Sequence, residues 1–255
     1  MSEGVTLTAL TGLPAIRPGD DLAGLLIAAL DRQGFAAAPG DIVVVAQKIV
    51  SKAEGRYVDL ATVAPSPRAE ELAAITRKDA RLVELVLRES TEVLRAKPNV
   101  MVVEHRLGHV MANAGIDQSN LDVEAGAEPV LLWPEDPDAS AARLKLRLDA
   151  HFRARLGVII SDSVGRAWRL GTVGLAIGAA GVPALVDRRG DPDLRGRPLE
   201  ITVVGLADSV AAAAVLVMGE AAEGQPAVLV RGLSWSQGPV PARTLVRARQ
   251  EDMFR

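Results

Sequence analysis

The stretch that most constrains this chain is the apolar run Val158 to Ile160, which meets Ser161-Asp162-Ser163. A short, β-branched, uncharged run of this kind reads as a buried strand. The strand is expected to stop at Ser161, which would leave a carboxylate between two hydroxyls at its end. Such hard oxygen donors suit Mg²⁺ or Mn²⁺. Gly165 permits a tight turn there. Arg166, Trp168 and Arg169 follow at once, and guanidiniums beside an acid suit a phosphorylated substrate. The same residues also fit an ordinary strand exit with an Asp turn.

Composition narrows the class. The chain has 255 residues, 49% of them hydrophobic, so it can bury one large core or two small ones. Cysteine is absent, which excludes disulfides, thiolate metal sites and a thiol nucleophile and fits a reducing compartment. A net charge of −3 gives no electrostatic case for nucleic acid or an anionic membrane. The longest weakly polar run, Gly171 to Val186, contains Pro183 and is shorter than the roughly 20 residues a membrane span needs. A cytoplasmic protein with neither a membrane nor a nucleic-acid partner is the expectation.

Periodicity and turn signals place the elements. Strands are expected over Val5–Leu10, Ile42–Ala46, Val100–Glu104, Leu107–Val110, Pro129–Pro134, Glu200–Val204 and Ala227–Val230. Helices are expected over Leu22–Leu30, most of Ser66–Lys97 with a break near Lys78, Ala139–Arg155 and Ala207–Met218. His105 and His109 flank a hairpin turn without metal-ligand spacing and read as structural or exposed. Residues 236–255 are polar and read as a loose tail or a partner-binding arm.

Several loops carry candidate chemistry. Lys48 and Lys52 lie four apart just past a strand, where they either meet phosphates or are simply solvated. Met111 to Asn120 combines small residues and Gly115 with Asp117 and Asn120, which reads as a ligand loop or as an Asx-rich turn. The glycines at 171, 174, 178 and 181 do not have the dinucleotide-binding spacing, and no P-loop sequence occurs. Asp117, Asp162 and Glu220 each adjoin an apolar element. Spacing alone does not show that they meet.

The motifs GLPAIRPGDDL, VSKAEGR, NAGIDQSN, DPDASA, SDSVGRAWR, and MGE followed by PAVLVRG occur in this order across roughly residues 5–233. In this combination the chain resembles the F420-0:γ-glutamyl ligases. The resemblance implies an α+β fold of mixed sheets in two interleaved lobes, with no P-loop and an interlocked homodimer. The ligase domain would cover 1–235, with a tail over 236–255. It implies a GTP-dependent enzyme that joins coenzyme F420-0 to L-glutamate through an acyl phosphate, then adds further γ-linked glutamates. Two divalent ions, Mg²⁺ or Mn²⁺, are implied, and K⁺ as a further ion. By position, Asp117 and Asp162 match ligands of one metal, and Ser163 and Glu220 those of the other. Leu13, Pro14, Ala15, Ile16, Gln47, Lys48, Lys52 and Asn120 match nucleotide contacts. So do Met218, Gly219, Glu220, Ala221, Ala222, Glu223, Gly224 and Gln225. Asp162, Arg166 and Arg169 are the candidate catalytic residues. Two other readings stay open: a different nucleotide-dependent carboxylate–amine ligase, and a non-catalytic GTP-binding protein.

Overall fold

A computed structural model describes residues 4–121 and 127–253. Its fold is α+β, centred on a five-stranded sheet. The strands run in the order β1 (Thr6–Ala9), β12 (Ala227–Arg231), β2 (Ile42–Ala46), β8 (Gly157–Arg166) and β9 (Arg169–Ala180). Only the β2–β8 pair is parallel. β2 and β8 are central and read as unbroken apolar runs because both faces are covered. Val43, Val45, Val158 and Ile160 face α1 (Leu22–Arg32) and α5 (Pro137–Phe152). Ile42, Val44 and Ile159 face α6 (Leu206–Met218). The two-residue period of the strands thus sorts one apolar run into two cores.

Helix boundaries follow local chemistry. Asp21 caps α1 by accepting from the Gly24 amide, and Asp136 caps α5 by accepting from Ala139, with Pro137 opening that helix. α2 (Gln47–Ala53) starts directly where β2 ends.

β9 packs closely through two glycines. A Cβ on Gly174 would lie 2.4 Å from the Ala211 carbonyl oxygen of α6, and one on Gly178 2.3 Å from that of Pro137 at the start of α5. A register shift between Ile160 and Ser161 of β8, opposite Gly178 and Ala176, lets these two glycines meet opposite layers although they lie four apart. The small residues of β9 and α6 are therefore packed against each other within one chain.

A second unit packs α3 (Pro67–Thr76) and α4 (Ala80–Arg88) on a three-stranded sheet of β4 (Ser90–Lys97), β5 (Val100–His105) and β6 (Val110–Ala112). Two small sheets pair β3 (Tyr57–Asp59) with β7 (Pro129–Leu131), and β10 (Leu185–Asp187) with β11 (Val203–Gly205).

Sequence expectations are corrected at several elements. Leu107 to His109 belong to the turn before β6 and not to a strand, and Glu200 to Thr202 precede β11 without belonging to it. Ser90 to Lys97 is a strand, because it pairs with β5 from Ser90 to Lys97, across two register shifts, and is half-exposed. β8 does not end at Ser161. Pairing with β9 carries it through Asp162 and Ser163 to Arg166. The turn therefore falls at Ala167-Trp168, with Trp168 left-handed (φ 57°), and not at Gly165. Within the C-terminal segment, Val240 exchanges backbone hydrogen bonds with Val182 and Ala184, Ala242 is buried, and Arg249 pairs with Glu92. Residues 254–255 of that segment lie outside the described residues.

Candidate active site

One end of the central sheet opens into a cavity of about 670 Å³. Four loops or helix starts reach it, each delivered by a buried strand or helix. Leu13 to Ile16 come from the segment between β1 and α1, anchored by fully buried Ile16. Gln47, Lys48 and Lys52 come from α2, where the four-residue spacing puts both lysines on one face. Asp117, Ser119 and Asn120 follow a tight turn at 113–115, and an exchanged pair of backbone bonds between Asp117 and Leu131 fixes them (both 2.9 Å). Met218 to Gln225 leave α6 through Gly219, whose φ of 74° a side chain would oppose. Asp162 and Ser163 project from β8 into the middle.

All the candidate nucleotide and metal residues therefore line one cavity. Arg166 and Arg169 do not. They sit exposed at the tip of the β8–β9 hairpin, where Arg166 donates to the Leu170 carbonyl.

The polar contacts form two linked groups. Lys48 Nζ lies 2.7 Å from Asp117 Oδ2 and donates to Ser119 Oγ at 3.0 Å. Asp117 Oδ1 accepts from the Ser119 amide and hydroxyl. Lys52 donates to the Asn120 carbonyl at 2.8 Å, and Asn120 is left-handed (φ 56°). In the second group, Ser163 Oγ donates to Glu220 Oε1 at 2.6 Å. Asp162 accepts from the Ser163 amide on Oδ1 and from the Trp133 indole on Oδ2, both at 2.8 Å.

The two aspartates differ electrostatically. Burial pushes Asp162 up to about 6. The Trp133 and Ser163 hydrogen bonds oppose this, and the Asp117 charge adds to it. Burial also works to raise Asp117, but the Lys48 hydrogen bond and charge and the Ser119 bonds together hold it below the usual carboxylate range.

Sequence reasoning missed Trp133. It is fully buried, makes ring contacts with His105 (centroids 4.9 Å apart) and His109 (5.3 Å), and holds Asp162 by its one polar side-chain atom. Gly115 leaves room for it, since a Cβ there would lie 2.5 Å from Trp133 Nε1. A tryptophan closing an apolar strand signals core, and nothing in the sequence ties it to Asp162.

The donors fit divalent ions. Among the described residues no three His, Cys, Asp or Glu side chains make a compact cage. The hard oxygens come instead as Asp117 near Asp162 and as Ser163 against Glu220, around a cavity wide enough for a ligand to complete the coordination. A cation there would offset the cost of ionising half-buried Asp162 beside Asp117.

Comparison with known proteins gives the family of the chain. Residues 12–232 match the family described as F420-0:Gamma-glutamyl ligase. The chain is 48% identical over 244 residues to the coenzyme F420:L-glutamate ligase of Methanopyrus kandleri, covering 94% of this chain and 93% of that protein. It is 47% identical to the protein of that name from Methanothermobacter thermautotrophicus, over 99% of each chain. The Archaeoglobus fulgidus protein is 46% identical over 96% of this chain and 94% of its own. With similarity of this extent, the chain belongs to the F420-0:γ-glutamyl ligase family.

Proposed function

We propose that the chain is a coenzyme F420:L-glutamate ligase that uses GTP to activate a carboxylate. The observation that carries this reading is the convergence of the phosphate-capable lysines, the acid pair and the Ser163–Glu220 pair on one nucleotide-sized cavity. The names of the relatives supply the substrates, F420 and glutamate.

An amide forms from a carboxylate only after an oxygen of that carboxylate is made a leaving group. A carboxylate oxygen of F420-0 attacks the γ-phosphorus of GTP. The bond to the β–γ bridging oxygen breaks, and its electron pair leaves with GDP. The glutamate nitrogen then attacks the acyl carbon. Phosphate departs with the electron pair of the C–O bond, and the nitrogen loses its proton to solvent or to a basic oxygen. Asp117, Asp162, Ser163 and Glu220 would hold two divalent ions, Mg²⁺ or Mn²⁺. When bound, these supply charge stabilisation to the attacking and leaving oxygens. Lys48 and Lys52 line the cavity and add fixed positive charge for the phosphates. Trp133 and the Ser163 amide fix the Asp162 carboxylate before any ligand arrives. The guanine preference rests on the resemblance at Leu13–Ile16 and Met218–Gln225.

Incubation with F420-0, L-glutamate, Mn²⁺ and either GTP or ATP, followed by mass spectrometry, tests this. Glutamylated product with GTP well ahead of ATP is expected. Equal turnover with both nucleotides would remove the GTP assignment. A second reading, a GTP-binding protein without catalysis, would show nucleotide binding and no product.

A further inference from the structure

Trp133, Pro134 and Glu135 lie between β7 and α5, outside the strands. Their carbonyls need donors from elsewhere, and two guanidiniums supply them. Arg56 Nε donates to the Trp133 carbonyl at 2.8 Å, and Arg106 Nη1 to that of Glu135 at 3.1 Å. Both arginines also meet one carboxylate. Glu89 Oε2 accepts from Arg106 Nε at 3.0 Å and lies 3.7 Å from the Arg56 guanidinium. His105, which is fully buried, meets the same oxygen. Its Nδ1 accepts from the Leu107 amide, which leaves the proton on Nε2, 3.7 Å from Glu89 Oε2. The His105 ring in turn touches that of Trp133, with 4.9 Å between centroids. Three side chains gathered by Glu89 thus grip the segment 133–135 at three different points.

We propose that Glu89 is a positioning residue of the metal site: through Arg56, Arg106 and His105 it holds Trp133 so that the indole N–H meets Asp162. The inference rests on the ligase reading for the metals and adds to that site residues that do not line its cavity. Trp133 is fixed by its carbonyl and by its ring, and its N–H then binds Asp162 Oδ2 at 2.8 Å. That bond and the Ser163 amide on Oδ1 set which way the carboxylate turns. Groups that orient a metal-binding side chain from behind change metal affinity by roughly ten- to a hundredfold when removed. The Glu89 side chain is only 13% exposed, so water is a poor replacement for its charge. Glutamine there would keep the shape and one acceptor but lose the charge that gathers two guanidiniums.

Glu89→Gln, Trp133→Phe and the double variant are compared with the wild type by electron paramagnetic resonance of Mn²⁺, in the presence of a non-hydrolysable GTP analogue. Phenylalanine keeps an aromatic ring beside His105 but removes the N–H. Melting temperature is taken for each protein. Trp133→Phe should raise the Kd of Mn²⁺ about tenfold, and Glu89→Gln at least about threefold. On the Trp133→Phe background, Glu89→Gln should change the Kd by less than about twofold, because the bond it serves is already gone. A Glu89 that only stabilises the fold would lower the melting temperature and leave the Kd within about threefold of wild type, or would act equally on both backgrounds. Either result overturns the inference, as does a Trp133→Phe variant with the Kd of the wild type. If Glu89→Gln does not fold, Arg56→Lys takes its place in the same cycle with the same expected and overturning results. Lysine keeps the charge beside Glu89 but lacks the planar fork that reaches both Glu89 and the Trp133 carbonyl. A wild type that binds Mn²⁺ with the analogue yet forms no product from F420-0 and glutamate defeats the ligase reading, while the cycle still decides this inference. A wild type that binds no Mn²⁺ overturns the metal site and this inference with it.

Discussion

Replacing Asp162 by asparagine should make the metal-free protein more stable at neutral pH while it abolishes ligation. Burial holds the folded pKa of Asp162 at about 6 against a usual 3.8. A raised carboxyl pKa means that folding favours the protonated form. The contribution to stability is therefore fully present below about pH 3.8 and is lost as pH rises through about 6. A gap of about two units corresponds to roughly 3 kcal/mol of destabilisation at pH 7.5. Asparagine removes that charge but has only one acceptor oxygen, and Asp162 now accepts two bonds, from Trp133 and from the Ser163 amide. Losing one of them costs about 1–2 kcal/mol. The net expectation is a gain of about 1–2 kcal/mol at pH 7.5, or a few degrees in melting temperature at about 2–4 °C per kcal/mol. Ligation should fall on the order of a thousandfold, because an amide oxygen is a poor substitute for a carboxylate facing hard cations and phosphate. The assay is thermal unfolding of both proteins in EDTA at pH 7.5 and at pH 4.5, beside turnover with saturating Mn²⁺. The gap in melting temperature should shrink or reverse at the lower pH. A variant equally destabilised at both pH values would contradict the cost of the buried charge. Near-wild-type turnover would contradict the role of Asp162 at the metals.

Glu89 should behave in the opposite sense. Its carboxylate is held down to about 2, first by His105 at 3.7 Å, then by Arg106 and Arg56, against the cost of burial. Its contribution is present above about pH 4.5 and lost as pH falls towards 2, so Glu89→Gln should cost roughly 3 kcal/mol at pH 7 and almost nothing in strong acid, read by urea unfolding across that range. The family resemblance also implies a homodimer, and light scattering at micromolar concentration should give twice the chain mass. A monomer mass would contradict it.

The central strands are legible in the sequence because burial on both faces leaves a composition signature. The runs Ile42–Ala46 and Ala227–Val230 need no context to be read as strands. Asp162 is legible as a site residue, but not as a residue inside a strand. Ser-Asp-Ser-Val-Gly looks like an exit, and only pairing with the small residues of β9 holds it extended. Ser90–Lys97 reads wrongly as helix because it is rich in charge and half-exposed, and cross-strand partners decide such a segment more than propensity does. The link from Trp133 to Asp162 spans 29 residues of sequence and depends on the space left at Gly115, which no local pattern encodes. Sequence proximity puts Arg166 and Arg169 near the acid. A strand rising about 3.3 Å per residue carries them away from it within a few positions.

If a carboxylate is activated by phosphoryl transfer at this acid-lined cavity, one of its oxygens must end in the released phosphate. The most direct measurement uses F420-0 with ¹⁸O in its terminal carboxylate, together with GTP, L-glutamate and Mn²⁺. Product and released phosphate are analysed by mass spectrometry from the same reaction. One labelled oxygen in the phosphate is expected for each amide formed, since the attacking oxygen leaves with the phosphorus. Glutamylated product accompanied by unlabelled phosphate would contradict activation by phosphoryl transfer.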